Sequence, residues 1–241
     1  MVAIANSRQA ILDRLKSIPI EQPPAPAIDP QRLVRYDDPL AKFTEVLSFV
    51  GGQVHVVERP QQVAEILGQF AAFREAQQVA SCVPEILAGN IDLNQVADPH
   101  LLAYLDWAII PGRFAVAENG AIWVRPSGPI ERTMLFLTQH LVIVVPRTEL
   151  IEHMHEAYRR LGQDGFGTSG PEFGIFISGP SKTADIEQSL VIGAHGCRTL
   201  QVFLLEDAGG PTDAADGGGG PSEALPDRPA AGDSAGLSGH V

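Results

Sequence analysis

The residues best suited to chemistry lie between Phe173 and Glu187. There Phe173-Gly174-Ile175-Phe176-Ile177 reads as a strand, Ser178-Gly179-Pro180 as a reversal, and Thr183 to about Ile192 as a helix. Ser181 and Thr183 supply hydroxyls, Lys182 an ammonium, and Asp185 and Glu187 carboxylates. In open α/β sheets ligands gather at the carboxyl ends of strands, where helix N-termini aim free N–H groups at the crevice. A P-loop is excluded by spacing: Gly179 is followed by Pro180-Ser181 rather than by Lys and Ser/Thr, and Gly174 falls inside a strand. The competing reading is structural, with Ser181 or Thr183 capping the helix and the two acids complementing its dipole. Those acids also repel a bound phosphate, so the chemistry is that of a mixed polar site.

A second candidate is Ala117-Glu118-Asn119-Gly120-Ala121. Asn-Gly is turn chemistry, and a carboxylate just ahead of such a turn sits at a sheet end, where a nucleophile or base acts. His195, within Gly193-Ala194-His195-Gly196, stands either in a site or in a glycine-rich helix stop. His153 and His155, two apart on an expected helix, point about 200° from one another and cannot share a metal; both are expected at the surface. His55 lies in a strand and His240 in the tail. No Ser/His/Asp set assembles from the spacing.

These residues need elements to hold them. An amphipathic helix is expected over 6–17, then an extended linker carrying Pro19, Pro23, Pro24, Pro26 and Pro30. Asp37-Asp38-Pro39 starts a helix that Gly51-Gly52 stops. Strands are expected at 53–57, 78–83, 107–110, 121–124, 140–145, 173–177 and 200–205, and helices at 61–73, 148–161 and 183–192. The 140–145 run is apolar throughout, as a strand buried on both faces requires. The alternation predicts an α/β fold with a mainly parallel sheet and helices on both faces. It divides the chain into an N-terminal helical arm (1–34), an α/β domain (35–207) and a disordered Gly/Pro/Asp-rich tail (208–241).

Composition narrows the function. The 241 residues, 44% hydrophobic, suffice for one sizeable core. A net charge of -12 argues against a nucleic-acid partner. No apolar run is long enough to span a bilayer, and no secretory leader is legible. Cys82 and Cys197 alone cannot ligate zinc or an iron–sulfur cluster, and sparse cysteine fits a cytoplasmic location.

The string Ile177-Ser-Gly-Pro-Ser-Lys-Thr-Ala-Asp-Ile-Glu187, followed by Leu190-Val-Ile-Gly-Ala-His-Gly196, resembles the signature of the lactate-utilisation protein C (LutC/YkgG, LUD-domain) family. Phe114 to Ala121 and the strand from His140 to Pro146 fit the same pattern, and the resemblance covers roughly 35–206. It implies a NagB/RpiA/CoA-transferase-like fold. It also implies a part in oxidising L-lactate to pyruvate beside partner subunits that carry the iron–sulfur clusters, with no cofactor or metal held by this chain alone. The expected ligand-binding residues are Asn119, Gly120, Gly179, Pro180, Ser181, Lys182, Thr183, Asp185, Glu187, His195 and Gly196, taking up a small organic acid, a cofactor or a partner. Glu-Asn-Gly also resembles the motif that carries the nucleophilic glutamate of family I CoA-transferases, which implies an alternative acyl or CoA transferase with Glu118 as catalytic residue. A third reading is a non-catalytic assembly module.

Overall fold

The computed structural model describes residues 7–18, 28–168, 172–184 and 190–206. The expected tail at 208–241, most of the Pro-rich linker, and Asp185 and Glu187 lie outside the described residues. The first helix, α1 (Ser7–Lys16), buries none of its residues. Helix α2 (Pro39–Phe49) starts where the sequence implies, with the Asp38 carboxylate accepting the Leu40 and Ala41 N–H groups at 3.0 Å each. It is followed by β1 (Gly52–Val57), α3 (Gln61–Leu67), α4 (Ala71–Arg74) and β2 (Val79–Ser81). The middle of the chain holds β3 (Trp107–Pro111), β4 (Phe114–Val116), β5 (Ala121–Val124), α5 (Pro129–Leu137) and β6 (His140–Pro146). The last third holds β7 (Leu150–Ile151), α6 (Met154–Gln163), β8 (Ile175–Ile177), β9 (Lys182–Ala184), β10 (Leu190–Ile192) and β11 (Thr199–Leu205).

Five strands form an all-parallel sheet in the order β1-β11-β6-β3-β2. Its central strands are apolar at successive positions because both faces are covered. Leu141, Ile143, Val145, Leu200, Val202 and Leu204 face one cluster, which α2 and α5 help to build. Val142, Val144, Phe203 and Leu205 face the other, closed by Val63 and Leu67 of α3. The period-2 alternation of the strands thus sorts side chains between two cores.

The five strands bear out the mainly parallel sheet, and a second sheet accompanies it. Beneath the first cluster lies a second, four-stranded sheet in the order β7-β4-β5-β8. Its Ala115, Ile122 and Val124 enter the shared core, while Phe114, Val116 and Trp123 pack on Ala157 of α6. Residues expected as one helix from Thr148 divide into a 3₁₀ turn at Arg147–Glu149, the short β7, and α6. Pairing of Leu150 and Ile151 with Ala115 and Val116 outweighs the helical periodicity there. The helix expected at 61–73 is likewise broken after Leu67.

The largest correction concerns 183–192. Instead of a helix, Lys182–Ala184 pairs antiparallel with Leu190–Ile192 as a two-stranded ribbon. Its base is tied by Ser181 N–H to the Cys197 carbonyl and Gly193 N–H to the Ser181 carbonyl, both 2.9 Å. β-Branched Thr183, Val191 and Ile192 suit that ladder. The helix N-terminus on which an anion site at 179–187 depended is therefore absent at Lys182–Ala184.

Candidate functional site

Register locates the 179–197 segment. Gly52, Leu200, Leu141 and Ala108 stand side by side near the amino ends of the parallel strands. Cys197 lies two residues before β11 and its carbonyl is tied to Ser181, so Gly179 to Ala184 and Leu190 to Cys197 close at that amino end and not at the carboxyl end expected from α/β precedent. At the carboxyl end of β3 lies a cavity of about 10 Å³, beside Cys82, Pro111 and Glu131. That is room for about one water. Burial, with Glu131 adding to it, pushes the Cys82 thiol up to about 12, and burial also raises that of Cys197. Neither cysteine is poised as a nucleophile.

At the amino end an open cleft of about 220 Å³ is lined by Ser178, Gly179, Ser181, His195 and Gly196 on its polar side. Leu135 and Phe136 of α5, Leu141 of β6, Cys197 and the three residues of β8 complete the wall. Gly179 has φ +82, and a Cβ there would lie 2.7 Å from the Val50 carbonyl oxygen. Only glycine lets β8 turn this closely over the end of α2. Pro180 continues that contact, with Cγ 3.4 Å from a Cβ placed on Gly51. Gly196 has a different duty: a Cβ on it would meet the Ser181 Cβ at 3.0 Å, so its bare backbone lets Ser181 stand at the cleft.

The sequence-expected residues thus divide. Gly179, Ser181, His195 and Gly196 converge on the cleft; Lys182 is exposed and Thr183 half-buried on the ribbon beside it. Glu118, Asn119 and Gly120 fall outside the lining. They adjoin it through Ser178, whose hydroxyl donates to the Asn119 carbonyl at 2.9 Å. Gly120, at φ +67, lies against the Leu47 backbone, and the Asn119 Oδ1 accepts the Ala121 N–H. The Glu118 carboxylate accepts the Met154 N–H at 2.9 Å and so caps α6 from the turn between β4 and β5. His153, expected at the surface, is mostly buried: its ring lies 5.6 Å from that of Tyr36, and Nε2 is 3.5 Å from the Glu152 carboxylate. His155 is exposed.

Sequence reasoning missed Leu135, Phe136 and Leu141 as cleft residues. They read as ordinary amphipathic helix and buried strand, and only the return of β8 past α5 makes them a wall. It also passed over His140, whose ring stacks on Trp107 at 4.5 Å and shares a 2.8 Å hydrogen bond with the Thr199 hydroxyl. Burial, reinforced by the Arg198 charge and opposed by Asp106, holds this imidazole below its ordinary value.

Apolar walls with two hydroxyls, an imidazole and glycine backbone at one end can orient a small molecule with one polar end, or a short extended segment. Among the described residues no hydrogen bond joins His195 to a serine, and no group of three or more His, Cys, Asp or Glu side chains is arranged to hold a metal. No described helix is long and apolar enough to cross a membrane.

These features define an α/β protein with a parallel sheet backed by a smaller mixed one, its cleft at the strands' amino end. A solved DUF162 family protein from Deinococcus radiodurans shares the fold, with a TM-score of 0.51 over 69% of this chain and 96% of that one at 16% identity. Residues 100–205 match the family model of the LUD domain. Proteins named lactate utilization protein C are similar over shorter stretches. That from Shouchella clausii is 36% identical over 92 residues, 38% of this chain and 40% of its own length. That from Bacillus subtilis is 31% identical over 93 residues, 38% and 39% of the two chains. The matches span about two-fifths of the length of these relatives. The family resemblance read from 177–196 is borne out.

Proposed function

We propose that this chain serves lactate utilisation as the non-cluster subunit of an iron–sulfur-dependent assembly that oxidises L-lactate to pyruvate. In this reading the amino-end cleft is its binding site. One observation carries the proposal: every residue lining the cleft lies inside the 100–205 segment that matches the LUD domain, and proteins similar to this chain bear a lactate-utilisation name. The cleft chemistry agrees with a role in binding. Ser181 and His195 offer hydrogen bonds to a carboxylate or carbonyl beside an apolar wall. At about 220 Å³ the space falls below the roughly 300–1,000 Å³ of sites for drug-sized ligands. With two cysteines in the whole chain, the thiolate ligands of any cluster fall to partner proteins.

The test is growth on L-lactate of a strain whose only copy carries Ser181→Ala or Gly196→Ala, together with recovery of iron–sulfur proteins on the tagged chain. Loss of growth with folded, normally abundant variants is the expected result. Undiminished growth of both variants overturns the reading.

A further inference from the structure

Strand β8 ends the four-stranded sheet, and its outer edge pairs with no other described strand. The orientation of its backbone follows from its neighbours. The Trp123 carbonyl accepts the Arg113 N–H at 2.8 Å, so Trp123 directs its polar backbone groups toward β4. In a strand these groups alternate sides residue by residue. Ile122 and Val124 therefore turn theirs toward Ile177 and Ile175, which stand directly opposite. Phe176, between them, presents its N–H and C=O to the free edge. That edge does not face bulk water alone: Ile175 to Gly179 form one bank of the cleft, and Leu135 and Phe136 belong to the other.

Natural sheets protect such edges with charges, proline or bulges. Gly174-Ile175-Phe176-Ile177-Ser178 has none of these. The charges lie at the two ends instead. Arg132, its guanidinium 5.2 Å above the Phe173 ring, stands near the start of β8. Lys182, His195 and Arg198 are exposed beyond its end. Neither Arg132, Lys182 nor Arg198 forms an ion pair among the described residues, in a chain whose net charge is -12.

We propose that the free edge of β8 is a strand-addition site, taking an extended, acidic segment of a partner protein into the cleft. Main-chain hydrogen bonds to Phe176 would supply the pairing, and apolar side chains of the segment would alternate into the space against Leu135 and Phe136. Its carboxylates would meet the cations at either end, which steers encounter and sets register. This deepens the reading of the chain as an assembly subunit and rests on it: the cleft's occupant becomes a polypeptide rather than a metabolite.

The probe is a fluorescein-labelled heptapeptide of alternating Glu and Val, titrated into the full-length chain and followed by anisotropy, with amide hydrogen exchange read at Phe176. Saturable binding is expected. N-methylation of alternate peptide bonds, or replacement of Glu by Lys, weakens it at least about tenfold, as does the double change Arg132→Glu and Lys182→Glu in the protein. Exchange at Phe176 slows about tenfold when peptide is bound. Absence of binding overturns the proposal, as does binding indifferent to N-methylation or a Phe176 amide that does not respond. Protection of Phe176 that rises with protein concentration and no peptide assigns the edge to a second copy and also overturns it. A failed peptide titration beside lost growth of Ser181→Ala leaves the proposed function standing; the reverse pattern removes the function and keeps the edge.

Discussion

The five-stranded parallel sheet and the 173–197 segment use similar residues to opposite ends. In the sheet, Ile143, Val145, Leu200 and Val202 are sealed on both faces, and the pairs that join β1, β11, β6 and β3 run five to seven residues. In the segment, Ile175, Phe176 and Ile177 are only half-buried, pairs are three residues long, and Val191 and Ile192 are about half exposed. The first region is where stability resides. The second is held mainly by backbone hydrogen bonds and glycine contacts, and such low-density elements are the ones available for binding.

That contrast can be broken by substitution. Ile143→Ala, at a site with no exposure, is expected to cost about 2–5 kcal/mol, read as a shift in the urea midpoint. A shift no larger than that of a surface variant would show that the sheet is not the stabilising region. Gly179→Ala comes next, at about 1–3 kcal/mol, because it combines a positive φ with a 2.7 Å approach to the Val50 carbonyl. An unchanged midpoint would mean that the β8 turn does not bear on α2.

Glu118→Ala removes the carboxylate that caps α6 and should lower stability by about 1 kcal/mol, whereas Glu118→Gln keeps an acceptor and should recover most of it. Capture of a Glu118 acyl adduct by hydroxylamine would instead favour transferase chemistry. The smallest effect concerns pH. In the folded chain burial holds the His140 imidazole below the ordinary histidine value of about 6.5, so folding favours the neutral ring. Its contribution is intact above that value and is lost as pH falls below it toward the folded value. The urea midpoint should therefore drop between pH 7.5 and 5.5, and His140→Gln should lessen the drop.

The strands were legible because burial on two faces leaves unbroken apolar runs such as Leu141 to Val145, and the α2 start because Asp38-Pro39 is local chemistry. The second sheet was not. Its strands are three or four residues long or shorter, and nothing in Phe114 to Val116 or Ile175 to Ile177 says which sheet will receive them. The ribbon of Lys182–Ala184 and Leu190–Ile192 was misread for a related reason. Ala184, Glu187 and Gln188 favour a helix locally, and the outcome was decided by distant ties from Ser181 to Cys197 and Gly193. Of the site, Gly179, Ser181, His195 and Gly196 were marked by their unusual local string. The apolar bank opposite them was invisible, because Leu135, Phe136 and Leu141 become lining only through tertiary return.

The strand order carries a consequence for synthesis. β11 lies between β1 and β6, so Gly52 waits for Leu200 and Leu141 waits for the same residue. At roughly 5–20 residues per second, β1 leaves the ribosome on the order of ten seconds before the strand that joins it to the sheet. Through that interval β1 exposes an open edge, β6 does so for its later part, and one late segment closes both. The sheet is thus completed in its interior last, which makes the nascent chain, more than the finished one, the form that most needs shelter from its neighbours.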